Sequence, residues 1–400
     1  MAGLQPTPTR AKPAWSEVSD SRPGAGLAWR VKMFYLRSMT VSPSHKDAAA
    51  LRRGRAAASN RTGRFEPYDR VLVDDGWPRD DDLPALRTEL SIERPRSVIT
   101  RNTSPDVPFD RSINPYRGCE HGCIYCFARP SHAWLGLSPG LDFETRLVAR
   151  PEAPAVLSGE LAKRNYAPRT IAIGTNTDPY QPIEKDQRIM RGILEVLWAH
   201  RHPVGIVTKG TLIERDIDIL SDMARYRLVR VGISVTTLER DLSRRMEPRA
   251  PAPERRLKTV ERLAAAGIET RIMAAPMIPA LTDHEIEAIL GAGKRAGAIA
   301  ASWVMLRLPR EVSGLFQDWL AEHFPDRAGR VMARLREMHG GKDYDSEWGK
   351  RMRGQGHYAQ MMAARFNRAA RSLGLNATLP PLDSSRFRIP PRPGDQLSLF

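Results

Sequence analysis

The stretch INPYRGCEHGCIYCFARP, residues 113–130, decides how the rest of this chain is read. It holds Cys119, Cys123 and Cys126, and these are the three cysteines of all 400 residues. An odd, local set of thiols cannot be a disulfide scaffold. Its C-x3-C-x2-C spacing points to a metal or cluster site in a reducing compartment, which places the protein in the cytoplasm. Three thiolates leave one iron of a [4Fe-4S] cluster without a protein ligand, whereas clusters that only carry electrons are held by four. Gly118 and Gly122 allow a tight loop, and Arg117 and Arg129 are placed to offset the negative charge of thiolates and cluster. Two other readings stay open: a Cys3His zinc site completed by His121 or His132, and three small buried hydrophobes.

Outward from this loop, short apolar runs alternate with helical patterns, as βα units on a parallel sheet do. Strands are expected at 111–114, 170–174, 204–208, 228–235, 268–274 and 302–306, with helices at 188–200, 217–225, 253–266 and 283–296 between them. Six such units make an α/β fold, a partial (βα)6 TIM-type barrel whose chemistry sits at the C-terminal strand ends. The barrel domain is expected over 105–310, a helical C-terminal region over 311–375, and a flexible tail over 376–400. Residues 1–100 lack a sustained apolar period and read as a mostly disordered basic extension. Met33 and Met39 offer alternative starts, so the first forty residues carry no functional weight. No apolar run approaches the roughly 20 residues needed to cross a membrane.

Several strand ends carry candidate ligands. The segment 171–185, IAIGTNTDPYQPIEK, offers Asp178 and Glu184, either to a ligand or as caps for the helix that follows. The third strand ends at Thr208 and Lys209, and the fourth at Ser234, whose facing depends on register. RRMEPRAPAPERR, 244–256, combines Glu247 with arginines suited to a phosphate, or forms a solvated loop. Trp303 and Arg307 of the sixth strand face the pocket or the core. GGKDYDSEWGKRMRG, 340–354, offers Tyr344 and Trp348 as stacking groups over a substrate.

The triad, with an aromatic before its last cysteine and at the head of a barrel pattern, resembles the radical S-adenosylmethionine (SAM) superfamily signature. NPY-x-G-C-x-H-x-C-x-YC and TDPYQPxE resemble its spore photoproduct lyase-like branch. The resemblance implies a [4Fe-4S] cluster on Cys119, Cys123 and Cys126 and S-adenosyl-L-methionine as cosubstrate, reductively cleaved to a 5'-deoxyadenosyl radical. It implies Tyr125 against the adenine, Lys209 at the carboxylate, Asp178 and Glu184 along the cofactor, and an electron donor such as flavodoxin or ferredoxin; Ser234 joins them if its register turns it inward. The lyase also uses a cysteine outside the triad to return a hydrogen atom. This chain has none, so Tyr180, Tyr344 or Tyr358 is a conceivable donor, and lesion reversal does not follow.

A net charge of +16, from 62 Lys and Arg against 46 Asp and Glu, fits a polyanionic partner. The C-terminal Gln396–Phe400, QLSLF, resembles the peptide by which bacterial polymerases and repair factors dock on the sliding clamp. DNA is therefore the expected partner, with RNA or a peptide as the alternative substrate within radical SAM enzymes. A zinc-dependent nucleic-acid-binding protein is the alternative without catalysis.

Overall fold

The computed structural model describes residues 54–66 and 86–391, all within the compact unit Pro43–Phe400. Among them lie ten strands: β1 (Glu89–Ile92), β2 (Thr100–Arg101), β3 (Arg111–Ile113), β4 (Tyr116–Arg117), β5 (Arg146–Ala149), β6 (Ile171–Ile173), β7 (Val204–Thr208), β8 (Val229–Ser234), β9 (Thr270–Met277) and β10 (Ala300–Met305). The main sheet runs β10-β9-β8-β7-β6-β3-β2. Its six strands from β3 to β10 are parallel neighbours in chain order, and β2 closes the other edge antiparallel to β3. This is the expected partial barrel, with all six strands where the apolar runs placed them. A small sheet, β1-β5-β4, stands beside the cysteine loop.

The helices Ile189–Ala199, Ile217–Ala224, Pro253–Ala265 and Ile286–Arg295 follow β6 to β9. Their apolar faces and the outward side of the strands, including Ile173, Ile206, Val231, Ile233, Ile272 and Ala274, form the main core. On the opposite face of these strands lie small residues such as Gly205, Gly232 and Ser234. At Gly232 a Cβ would stand 2.7 Å from the sulfur of Met273. After β10, the helices Glu311–His323, Pro325–Met338 and Gly356–Ser372 pack against the barrel. No helix among the described residues is long and apolar enough to cross a membrane.

Two segments depart from the expected disorder. Residues 54–66, inside the supposed extension, strap the cysteine loop. Arg55 donates to the Glu144 carbonyl at 2.6 Å, and the amides of Ala56 and Ala57 donate to the Glu144 carboxylate at 3.1 and 3.0 Å. Arg61 and Arg64 then reach Asp318 and Glu311 at 2.6 and 3.2 Å. Residues 376–391 likewise run across the strand-entry end of the barrel. The amides of Asp383 and Arg388 donate to the carbonyls of Arg227 and His200, each at 3.0 Å. Phe387 packs among Tyr166, His200 and His202. Both segments are fixed by long-range polar contacts, which leave no periodic signature in sequence. Residues 1–53, 67–85 and 392–400, with the clamp-like peptide, lie outside the described residues.

Candidate functional site

The cysteine loop leaves β4 at the C-terminal end of the parallel strands. Cys119 and Cys123 are buried, Cys126 is half-buried, and all three are free thiols. Gly118 and Gly122 have φ of 76° and 65°, in the left-handed region that favours glycine. Space demands glycine as well: a Cβ on Gly118 would lie 2.6 Å from Leu147, and one on Gly122 2.7 Å from the Glu144 carboxylate.

Arg129 does not offset the thiolates. Its fully buried guanidinium pairs with fully buried Glu144 at 2.5 Å and donates to the carbonyls of Cys123, Gly122, Gly140 and Pro139 at 2.9–3.1 Å. The pair therefore fixes the shape of the loop while cancelling its own charge. Arg117 is likewise turned to Glu93, at 2.8 Å.

Behind Cys123 lies a buried polar network. The Tyr125 hydroxyl donates to Glu247 at 2.7 Å and lies 3.1 Å from the Thr236 hydroxyl. Arg256 pairs with the other Glu247 oxygen at 3.0 Å, and Lys209 stands 5.6 Å from the Tyr125 ring centre. Burial works to raise the Glu247 pKa, but Arg256 and Lys209 outweigh it and hold the carboxyl below its usual range. Burial opposes the Lys209 charge too, yet Cys123, Glu247 and Asp178 together raise its pKa. Segment 244–256 reads either as arginines suited to a phosphate or as a solvated loop, and the structure spends three of those arginines within the fold: Arg256 serves Glu247, while Arg255 and Arg249 pair with Glu214 and Glu120 at 2.8 and 3.0 Å. Glu247 itself sat in a charge run, where nothing local marks a buried carboxylate.

The other named residues occupy distinct places. Asp178 accepts from the Thr208 hydroxyl at 2.5 Å and from the amides of Lys209 and Tyr180 at 2.7 and 2.9 Å. His121 Nδ1 stands 3.3 Å from the same carboxylate. Burial alone would raise the Asp178 pKa, but His121 and these donors hold it far below the usual carboxylate range. Asp178 thus joins the cysteine loop to the end of β7. Ser234 ends β8, buried, with Arg256 donating to its carbonyl at 3.2 Å. Glu184 is turned inward: it accepts from Tyr116 at 2.5 Å, Arg215 at 2.7 Å, and the amides of Met190 and Ile189 at 3.1 and 3.2 Å. Both its oxygens are engaged within the fold, so the structure gives Glu184 the capping use and not a carboxylate offered to a ligand.

At the end of β10, Arg307 stands over Phe127, 4.0 Å from its ring centre. Tyr344 is beside it, on a loop whose Met352 carbonyl accepts from Met305 at 2.9 Å. Of the three tyrosines named as hydrogen donors, Tyr180 is buried on Asp216 at 3.1 Å and Tyr358 is bonded to Asp283. Tyr344 neighbours Arg307, which in turn is close to Cys126. Trp303 belongs to the core, against Phe366.

This donor set fits an iron–sulfur cluster. Burial pushes the Cys123 thiol up to about 12 and Cys119 well above the ordinary thiol range, so metal must displace a proton at each. His132 commits Nε2 to the carbonyl of Arg146, 2.9 Å away.

Comparison with known proteins follows this geometry. Residues 113–292 match the radical SAM superfamily profile. An uncharacterised protein of Mycobacterium tuberculosis is 38% identical over 235 residues, covering 58% of this chain and 68% of that one. The chain belongs to the radical SAM superfamily. A radical SAM enzyme uses S-adenosyl-L-methionine with a [4Fe-4S] cluster, which overturns the non-catalytic zinc reading. An uncharacterised protein of Methanocaldococcus jannaschii is 28% identical over 215 residues, 54% of this radical SAM chain and 76% of the relative. Among solved structures, spore photoproduct lyase superposes with TM-score 0.51 at 16% identity, covering 71% of this chain and 79% of the lyase. Another lyase structure, at TM-score 0.51 and 15% identity over 71% and 78% of the two chains, holds AdoMet and dinucleoside spore photoproduct. These likenesses establish a shared fold.

Proposed function

We propose that Cys119, Cys123 and Cys126 ligate the [4Fe-4S] cluster of this radical SAM enzyme, and that its substrate is DNA. The observation that carries the ligation is the glycine-shaped loop itself, which gathers every thiol of the chain at the strand ends beside buried Lys209 and Arg256. Held there by the three thiolates, a [4Fe-4S] cluster would supply the electron for reductive cleavage of S-adenosyl-L-methionine. The chain's own residues bind, aim and shield. Tyr125, fixed by Glu247 and Thr236, presents its ring to the adenine. Lys209 holds the carboxylate, with Asp178 positioning its backbone, and Ser234 lines the same wall. Glu184 acts through the loop 175–184, which it ties to the following helix.

Support for DNA comes from the +16 charge, the dinucleoside bound by the lyase of shared fold, and the QLSLF peptide at the C-terminus. A flavodoxin or ferredoxin supplies the electron, and the clamp-like peptide brings the enzyme to its substrate. Anaerobic reconstitution tests the reading: about four irons and four sulfides per chain, followed by 5'-deoxyadenosine on reduction. Cys123→Ala removes both, and stoichiometric zinc without iron would refute the assignment. Deleting 396–400 eliminates retention on immobilised clamp and spares SAM cleavage; unchanged retention removes the clamp from the reading.

A further inference from the structure

Most arginines near the site are spent on carboxylates, as Arg129, Arg249, Arg255 and Arg256 are. Arg307 differs. Among the described residues no carboxylate forms an ion pair with it, and the side chain is half-buried. Burial lowers its pKa, and of its charged neighbours Tyr344 and Cys126 favour the cation while Arg351 opposes it. Arg351 already has its counter-ion, Asp106, at 2.5 Å. Its hydroxyl partner is Tyr344, and Asp106 acts on it only from a distance; a guanidinium held by no ion pair is costly to withdraw from water. It is well matched to an anion that arrives later.

The surroundings specify that anion. Arg307 lies along the face of Phe127, the residue after Cys126, and Phe127 remains 43% exposed. The loop carrying Tyr344 is held rigidly on both sides. Asp343 is bonded to Ser313 and Arg336 at 2.6 and 2.7 Å, and Asp106 accepts from the Gly349 amide at 2.7 Å. Trp348, 55% exposed, stands on the same loop. A cation lying on a part-exposed aromatic ring can recognise a phosphate with a base attached, since every base offers a face for stacking. Lys209, just past the end of β7, is three strands from Arg307 in the sheet order.

We infer that Arg307, Phe127 and Tyr344 form a nucleotide subsite, in which Arg307 clamps a backbone phosphate and Phe127 stacks the base presented to the chemistry. This inference rests on the proposed nucleic-acid substrate and names the residues that would hold it. The Tyr344 hydroxyl steadies the guanidinium fork, so that it meets the phosphate in two hydrogen bonds.

The test uses the full reconstituted chain and two fluorescein-labelled single-stranded 12-mers, one DNA and one RNA, in an anisotropy titration over a salt series. SAM binding by equilibrium dialysis runs alongside as a check on folding and on the cofactor site. Arg307→Gln should weaken binding of the preferred 12-mer roughly tenfold and lower the log–log salt slope by about one, with SAM binding retained. Arg307→Lys should recover the slope and only part of the affinity. Phe127→Ala should weaken binding without changing the slope. Unchanged 12-mer affinity in Arg307→Gln overturns the subsite, as does a loss of SAM binding in its place, which would assign Arg307 to the cofactor. Wild type binding RNA alone, with the Arg307 effect intact, sinks the DNA reading and keeps the subsite. Wild type binding neither 12-mer sinks both.

Discussion

Replacing Glu144 by Gln should loosen the cysteine loop without touching a thiol. Glu144 and Arg129 are both fully buried at 2.5 Å, and the Glu144 oxygens also accept from the amides of Ala56 and Ala57. The neutral amide keeps the shape of the side chain but leaves the Arg129 cation unpaired. Breaking a buried ion pair from one side costs about 3–5 kcal/mol, and mispairing of a strap amide adds roughly 1 kcal/mol more. The expected loss is thus about 4–6 kcal/mol, measured by urea unfolding of the metal-free chain. It should be accompanied by earlier proteolysis within 54–66 and faster iron release to a chelator. A double variant, Arg129→Met with Glu144→Leu, removes both charges and should be more stable than Glu144→Gln alone. If Glu144→Gln unfolds within about 1 kcal/mol of the native chain and keeps its iron, the pair does not hold the loop.

Other parts of the structure make further predictions. Gly118→Ala needs both a left-handed alanine and room that Leu147 occupies, so reconstituted iron should fall well below half; full occupancy would contradict the loop geometry. Burial depresses the His202 pKa to about 4. Its neutral form therefore contributes stability above the unfolded value of about 6.5, lost as pH falls from there through about 4, and worth about 3 kcal/mol in all. Unfolding free energies measured between pH 7 and 4 should show this slope, and a His202→Phe variant should flatten it. Phe387→Ala removes the ring that seats residues 376–391 on Tyr166 and His202, and should cost about 2 kcal/mol in the same unfolding assay.

The barrel was legible because each strand is a short apolar run and each helix keeps a 3.6-residue period, both local signals. The triad was legible because three cysteines and nothing else of their kind occur in the chain. Charged residues were not. Glu184, Glu247 and Arg129 each lie in segments whose composition fits a ligand site, yet their partners are 5 to 124 residues away and decide the role. For Arg307 the position at a strand end leaves pocket and core equally open. Its lack of a carboxylate partner emerges only when the surrounding segments are in place. The strap 54–66 failed for the same reason, since its anchors Glu144, Glu311 and Asp318 lie far along the chain.

That strap also sets a schedule for assembly. Arg61 waits for Asp318, 257 residues later, and at the usual 5–20 residues per second of synthesis the interval is roughly 15–50 s. Through it the nascent loop has its thiols but not its finished clasp, a period in which iron–sulfur delivery meets an open mould.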